Sequence, residues 1–114
     1  MLRFVLTLIL CTLSAQFIFA DDSRQAGRYV KEAEYYQKKA DNYRREAQYY
    51  LKKAEGYQKE AAYYTRNGKT DRAKDYQRRA SRAMNDYKTQ MRYAANADDK
   101  AANYLRRASN LLRK

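Results

Sequence analysis

Small and aromatic residues alternate along the chain at three- and four-residue spacing, separated by polar and charged positions. From residue 26 an alanine recurs every seventh residue, and a tyrosine follows each alanine three positions later. We denote the alanines position a and the tyrosines position d of a heptad a–g. Its members are Ala26, Ala33, Ala40, Ala47, Ala54 and Ala61, with Tyr29, Tyr36, Tyr43, Tyr50, Tyr57 and Tyr64. This spacing predicts a long α-helix that buries one stripe.

The repeat is interrupted at residues 65–71 and then resumes in a new phase. Asn67 and Gly68 suit the left-handed end of one helix, whereas Thr70 or Asp71 can cap the start of the next. The a and d residues of the second segment are Ala73, Tyr76, Ala80, Ala83, Tyr87, Gln90, Ala94, Ala97, Ala101, Tyr104, Ala108 and Leu111. The sequence predicts an all-α fold, a long antiparallel two-helix hairpin with an Ala/Tyr coiled-coil seam. We expect helices at about 23–66 and 71–113 and a turn at 67–70.

Polar residues at two other places suit helix ends. Asp21, Asp22 and Ser23 can cap the first helix. Residues 96–99, Asn-Ala-Asp-Asp, suit the cap of a third helix. They leave open the alternative that the second helix breaks there.

Large residues face small ones when the chain is folded back at Gly68. Setting Tyr64 against Ala73 in an antiparallel pair fixes every other layer, and eight of the twelve layers then match a large side chain with a small one. The exceptions are Ala54/Ala83, Ala40/Ala97, Tyr50/Tyr87 and Ala47/Gln90. A parallel dimer of the first helix would instead stack alanine on alanine and tyrosine on tyrosine. Because close packing requires large-to-small matching, the hairpin is favoured.

The first twenty residues differ in composition from the rest. They contain all three Phe and the single Cys, with Arg3 before an apolar run and Ala20 at the end. This layout predicts a secretory signal peptide at residues 1–20, with an uncleaved anchor as the alternative. The mature hairpin, residues 21–114, would be secreted and extracellular and would have no membrane segment. Its net charge would fall from +12 to +11 with the loss of Arg3.

The residue inventory excludes most kinds of catalysis. The sequence has no His, and its one Cys lies in the predicted signal peptide. The mature chain therefore lacks the commonest general bases, thiol nucleophiles and nitrogen or sulfur metal ligands. We expect no enzyme activity, no catalytic or metal site, and no cofactor.

Basic residues form an unbroken row at position f of the first helix, opposite the stripe. We call it the basic row; it consists of Lys31, Lys38, Arg45, Lys52, Lys59 and Arg66. One interpretation is a solvated face that keeps the protein soluble. The other is a binding site for a polyanion such as an acidic matrix protein, an acidic glycan or a mineral phase. A nucleic acid is disfavoured because the sequence has no nucleic-acid-binding module.

Four tyrosines lie off the predicted stripe, Tyr35, Tyr49 and Tyr63 at position c and Tyr93 at position g. Two interpretations stay open for them, packing against a second hairpin and oxidative cross-linking. Exposed phenols beside lysines in a secreted protein are natural substrates for dityrosine coupling or hydroxylation.

In its tyrosine and lysine content the chain resembles the Tyr/Lys-rich secreted proteins of shell matrices, byssal threads and eggshells. The resemblance implies a structural component of an extracellular matrix. Such a component would self-associate through its tyrosine-rich faces and bind acidic partners through the basic row. The alternatives are a diffusible polyanion-binding or host-defence protein, and a helical partner that completes a bundle with another chain.

Overall fold

The computed structural model describes the backbone of residues 2–113 and the side chains of residues 21–113. Helix α1 covers Leu2–Arg66 and helix α2 covers Thr70–Leu112, and no strand occurs among the described residues. The prediction of an all-α antiparallel hairpin is confirmed. The predicted signal peptide at residues 1–20 lies outside the residues whose side chains are described, so it stays a prediction.

Neither of the additional helix ends is formed in this chain. Helix α1 continues through Asp21, Asp22 and Ser23. The backbone amides of this turn therefore find their acceptors in the preceding turn and need no side-chain cap. A helix start near residue 23 remains a prediction for the cleaved chain. Helix α2 continues through residues 96–99, so the alternative of a third helix is wrong.

Helix α1 ends at a left-handed glycine, as the sequence predicts. Gly68 has a φ of 74°, which a residue without a Cβ adopts at little cost. The amide of Lys69 donates to the carbonyl oxygen of Tyr64 at 2.9 Å, and the amide of Gly68 donates to that of Thr65 at 3.2 Å. These two bonds are the Schellman pair, which satisfies carbonyls that the last helical turn leaves open.

The cap of helix α2 differs from the prediction. The amide of Ala73 donates to the carbonyl oxygen of Lys69 at 3.1 Å, so Lys69 occupies the capping position. Thr70 and Asp71, which the sequence suggested as caps, are instead the first two residues of α2. The Schellman turn leads directly into α2 at Lys69, whose side chain has no oxygen that could accept from the first amides of the helix. Asp71 still favours the helix, because a carboxylate in the first turn interacts well with the helix dipole.

The hairpin divides into two compact units with the same kind of core. Among the described residues every buried side chain is an alanine of the predicted stripe, and no polar side chain is buried. The smaller unit, described over residues 21–35 and 100–113, has as its core Ala26, Ala33, Ala101 and Ala108. The larger unit, Tyr36–Asp99, has as its core Ala40, Ala47, Ala54, Ala61, Ala73, Ala80, Ala83, Ala94 and Ala97.

Tyrosine rings at position d pack between the helices beside these alanines. In the larger unit the ring of Tyr76 lies 6.1 Å from that of Tyr57 and 5.4 Å from that of Tyr64, with which it is stacked at 14°. Since Tyr57 and Tyr64 are the d residues on either side of Ala61, Tyr76 lies at the level of Ala61. This is the layer that the predicted register requires.

In the smaller unit the ring of Tyr104 lies 6.0 Å from that of Tyr29. The seam tyrosines are all partly exposed rather than buried.

Arginines at position g of α2 lie over three of these rings, with guanidinium-to-centroid distances of 5.0 to 5.6 Å. The pairs are Arg72 with Tyr64, Arg79 with Tyr76, and Arg107 with Tyr104. Each such contact contributes about 0.5–1 kcal/mol at an exposed site.

Replacing Gly68 with Ala should destabilise the hairpin by about 1–2 kcal/mol, because an L-residue resists the left-handed conformation. Gly56→Ala is the matched control. Gly56 lies within α1 and an added Cβ would meet nothing within 4 Å. This substitution should stabilise the helix by about 0.5–1 kcal/mol. Urea unfolding followed by circular dichroism measures both, and equal effects of the two variants would contradict the turn geometry.

Enlarging a seam alanine should separate the helices. Ala33 is 0% exposed, so Ala33→Leu should cost about 1–3 kcal/mol through overpacking. Ala102, an exposed alanine in the same unit, is the control, and Ala102→Leu should change stability by less than about 0.5 kcal/mol. Thermal unfolding of both variants tests the seam. A neutral Ala33→Leu would show that the helices are not in close contact there.

Candidate interaction surfaces

The basic row lies on the solvent side of α1. In the larger unit Lys38, Arg45, Lys52, Lys59 and Arg66 are all exposed, and Lys31 is exposed in the smaller unit. Consecutive members are seven residues apart on a helix, or about 10.5 Å. Among the described residues none of these six cations forms an ion pair with a carboxylate. The row thus remains free of direct ion pairs over residues 21–113.

Lys53, at the neighbouring position g, is held by a tyrosine. Its ammonium group lies 4.7 Å from the centre of the Tyr49 ring. A hydrogen bond between the side chains of Lys53 and Tyr49, together with the charge that Tyr49 can carry, raises the pKa of Lys53 above its ordinary value. Lys53 is thus held beside the exposed phenol of Tyr49.

The three tyrosines predicted at position c are half exposed, as expected for residues off the seam. Tyr35 and Tyr49 are each 52% exposed and Tyr63 is 54% exposed. Two of them contact the seam tyrosine that follows in sequence. The ring of Tyr49 lies 5.4 Å from that of Tyr50, and the ring of Tyr63 lies 5.3 Å from that of Tyr64, both edge to face. Each ring is thus anchored on one side and open to solvent on the other.

Tyr93, the fourth of these tyrosines, packs within the hairpin. Its ring lies 5.4 Å from that of Tyr43 in α1, and the guanidinium group of Arg92 lies 5.9 Å from its centroid. It is 42% exposed, less than the three tyrosines at position c. The predicted antiparallel register could have revealed this contact, because it sets Tyr43 opposite Ala94, the neighbour of Tyr93.

Sequence reasoning overlooked a row of aliphatic side chains at position e of both helices, which we call the e face. In the larger unit this face contains Leu51, Met84 and Met91, of which Met91 is 37% exposed. In the smaller unit its aliphatic members are Val30, Leu105 and Leu112, which are 38%, 41% and 64% exposed. The shared heptad position was the signal that could have revealed the row.

An open groove lies on the e face of the larger unit. Its volume is about 890 Å³, and Ala61 and Ala80 of the seam contribute to its floor. The e-position side chains that line it are uncharged. They are Gln58, Thr65, Gln77 and Met84.

A salt bridge joins the two helices across the same face. Both terminal nitrogens of Arg44 donate to the carboxylate of Asp98, and the shortest distance is 3.1 Å. The two side chains are 42% and 48% exposed, so the pair contributes only about 0–1 kcal/mol to stability. Because both residues occupy position e, the pair agrees with the predicted antiparallel register.

No group of three or more His, Cys, Asp or Glu that could hold a metal occurs among the residues whose side chains are described. Over the same residues, neither helix has a stretch long and apolar enough to cross a membrane. No family model, curated protein or solved structure matches this chain.

Oxidation by a peroxidase and hydrogen peroxide should couple the exposed tyrosines. Each phenol would lose one electron and one proton, and two phenoxyl radicals would join through a carbon–carbon bond as the peroxide is reduced to water. The triple variant Tyr35→Phe, Tyr49→Phe and Tyr63→Phe should lose most of the dityrosine fluorescence. The seam triple Tyr36→Phe, Tyr50→Phe and Tyr57→Phe is the control and should retain most of it. Equal losses would show that exposure does not direct the coupling.

Proposed function

We propose that this protein is a secreted structural component of an extracellular matrix that self-associates and binds acidic polymers along the basic row. The observation that supports polymer binding is the set of exposed cations on α1, none of them paired with a carboxylate among the described residues. A face that only keeps the protein soluble requires charged residues but no particular spacing between them. A row at regular spacing on a rigid helix also matches a linear polyanion, whose charges repeat along its length.

The basic row is preorganised for polymer binding because it lies on a helix that is already formed. In the larger unit the five members lie on a helix that the seam holds against α2, so no backbone ordering accompanies binding. Only the lysine and arginine side chains lose freedom. Release of the counterions bound to the polymer would drive the association and make it weaken steeply with salt, as it does for nucleic acids.

The exposed tyrosines at position c support the structural part of the proposal. They provide phenols at 52% to 54% exposure on a protein with no mature cysteine if residues 1–20 are removed. Covalent links between chains would then form through tyrosine and not through disulfides.

A diffusible polyanion-binding or host-defence protein is the second candidate. It is favoured by the fact that the row is complete within one chain and needs no assembly. The two candidates differ in the material that contains the protein. An insoluble secreted structure containing dityrosine supports the matrix role, whereas free protein in fluid with unmodified tyrosines supports the diffusible role.

Neutralising three members of the row, Lys38→Gln, Lys52→Gln and Lys59→Gln, should weaken heparin binding at least tenfold. It should also lower the slope of log affinity against log salt by about two to three, since each lost contact removes somewhat less than one unit. The control variant, Lys53→Gln, Arg72→Gln and Arg79→Gln, removes the same charge from position g and should lose much less. Titration calorimetry at several salt concentrations measures both. Equal losses would mean that net charge alone binds heparin and that the row has no role.

A further inference from the structure

The aliphatic side chains of the larger unit are outside its core. The core there consists of alanines flanked by tyrosine rings, and all three large aliphatic residues, Leu51, Met84 and Met91, lie at position e instead. None of them is buried by the hairpin, although methionine and leucine gain most from burial. A second interface beside the seam would explain why the sequence places them together.

The e face is also the electrically balanced side of a strongly basic protein. Beside position e lies position b, which forms the two rims of this face in the larger unit. The α1 rim carries Asp41 and Glu55, and the α2 rim carries Lys74 and Lys88. Between the rims, the charges of Arg44 and Asp98 cancel, and Arg44 also lies 3.9 Å from Asp41 on the α1 rim. The excess positive charge of the unit therefore lies at the other positions, and a second basic chain can approach this face without net repulsion.

The distribution of rim charges makes the face complementary to itself. A two-fold axis parallel to the helices places α1 of one copy over α2 of the other, so the acidic rim of each copy runs along the lysine rim of the other. In the predicted register Lys88 is level with residue 49 and Lys74 with residue 63, so acids and lysines alternate along the two rims and do not face one another directly. Because this axis runs parallel to the helices, each residue of one copy has the same height along the helix axis as the equivalent residue of the other. In the confirmed register Leu51 lies at the level of residue 86, between Met84 and Met91. Leu51 of each copy would therefore lie against the two methionines of the other.

We propose that two copies of this chain pair through their e faces to form an antiparallel four-helix bundle, with the basic rows on its outside. The smaller unit has the same property by itself, since its exposed aliphatic residues Val30, Leu105 and Leu112 also occupy position e. This inference rests on the self-association in the proposed function but not on polymer binding. In this arrangement the chains first assemble through the e face and not through the exposed tyrosines at position c.

The first test uses the protein expressed from its full sequence and measures its mass by light scattering after size exclusion. The wild type should be a dimer at about 100 µM, in the range where an interface of modest size is occupied. Met91→Lys should give a monomer with unchanged helical circular dichroism, because it places a cation in the aliphatic cluster. Tyr63→Lys adds the same charge at a more exposed position c and should stay dimeric. A monomeric wild type, or a dimer that Tyr63→Lys disrupts and Met91→Lys does not, would overturn the proposal.

The second test exchanges the rim charges and does not depend on any apolar residue. The variant Lys74→Glu, Lys88→Glu has two acidic rims, and Asp41→Lys, Glu55→Lys has two basic rims. Each variant alone should dimerise at least tenfold more weakly than the wild type, and an equimolar mixture should form a heterodimer at low salt. Retention of full homodimer affinity by both variants would exclude the arrangement of α1 over α2. Heparin binding measured on the monomeric Met91→Lys separates the two proposals, because the basic row is complete within one chain and a monomer that still binds heparin shows polymer binding without the dimer.

Discussion

The distance at which two helices can approach limits every other feature of this hairpin. Alanine at the seam allows the axes to come to the near end of the usual range, about 8 Å. At that distance an alanine methyl contributes little apolar area, so the seam alone cannot supply the stability of an ordinary core. The sequence compensates in its helices, which are rich in alanine, lysine, arginine, glutamate and glutamine and contain no proline. Close approach thus depends on intrinsically stable helices.

Tyrosine suits this geometry better than phenylalanine would. A pair of helices cannot cover a whole ring, and the seam tyrosines remain partly exposed. A phenol keeps its hydroxyl in water while its ring covers the adjoining alanine. The negative face of the ring also attracts cations, as seen where Arg79 lies over Tyr76. The same chemistry makes the tyrosines at position c acceptable on the surface.

The sequence predicted those features that follow from periodicity and from local backbone chemistry. All of the buried alanines lie on the predicted stripe, and Gly68 ends α1 as expected. The errors arose where neighbouring structure decides the outcome. Thr70 looks like a cap until the Schellman turn joins α2 directly to Lys69. Tyr93 was grouped with the tyrosines at position c although the register already placed it beside Tyr43, because the heptad letters were considered one helix at a time.

The charges of the larger unit would keep the two proposed kinds of binding, to a polymer and to a second chain, on different faces. If acids and bases were spread evenly, the face that meets a second chain would also repel or attract polymers. Here the acids Asp41 and Glu55 at position b are balanced in number by the lysines Lys74 and Lys88, whereas Lys52 and its neighbours in the basic row form no ion pair over residues 21–113. Pairing through the neutral side would leave the basic row of each chain accessible. Two rows on one rigid body would then bind a polymer with higher avidity than one, so assembly would strengthen polymer binding rather than block it.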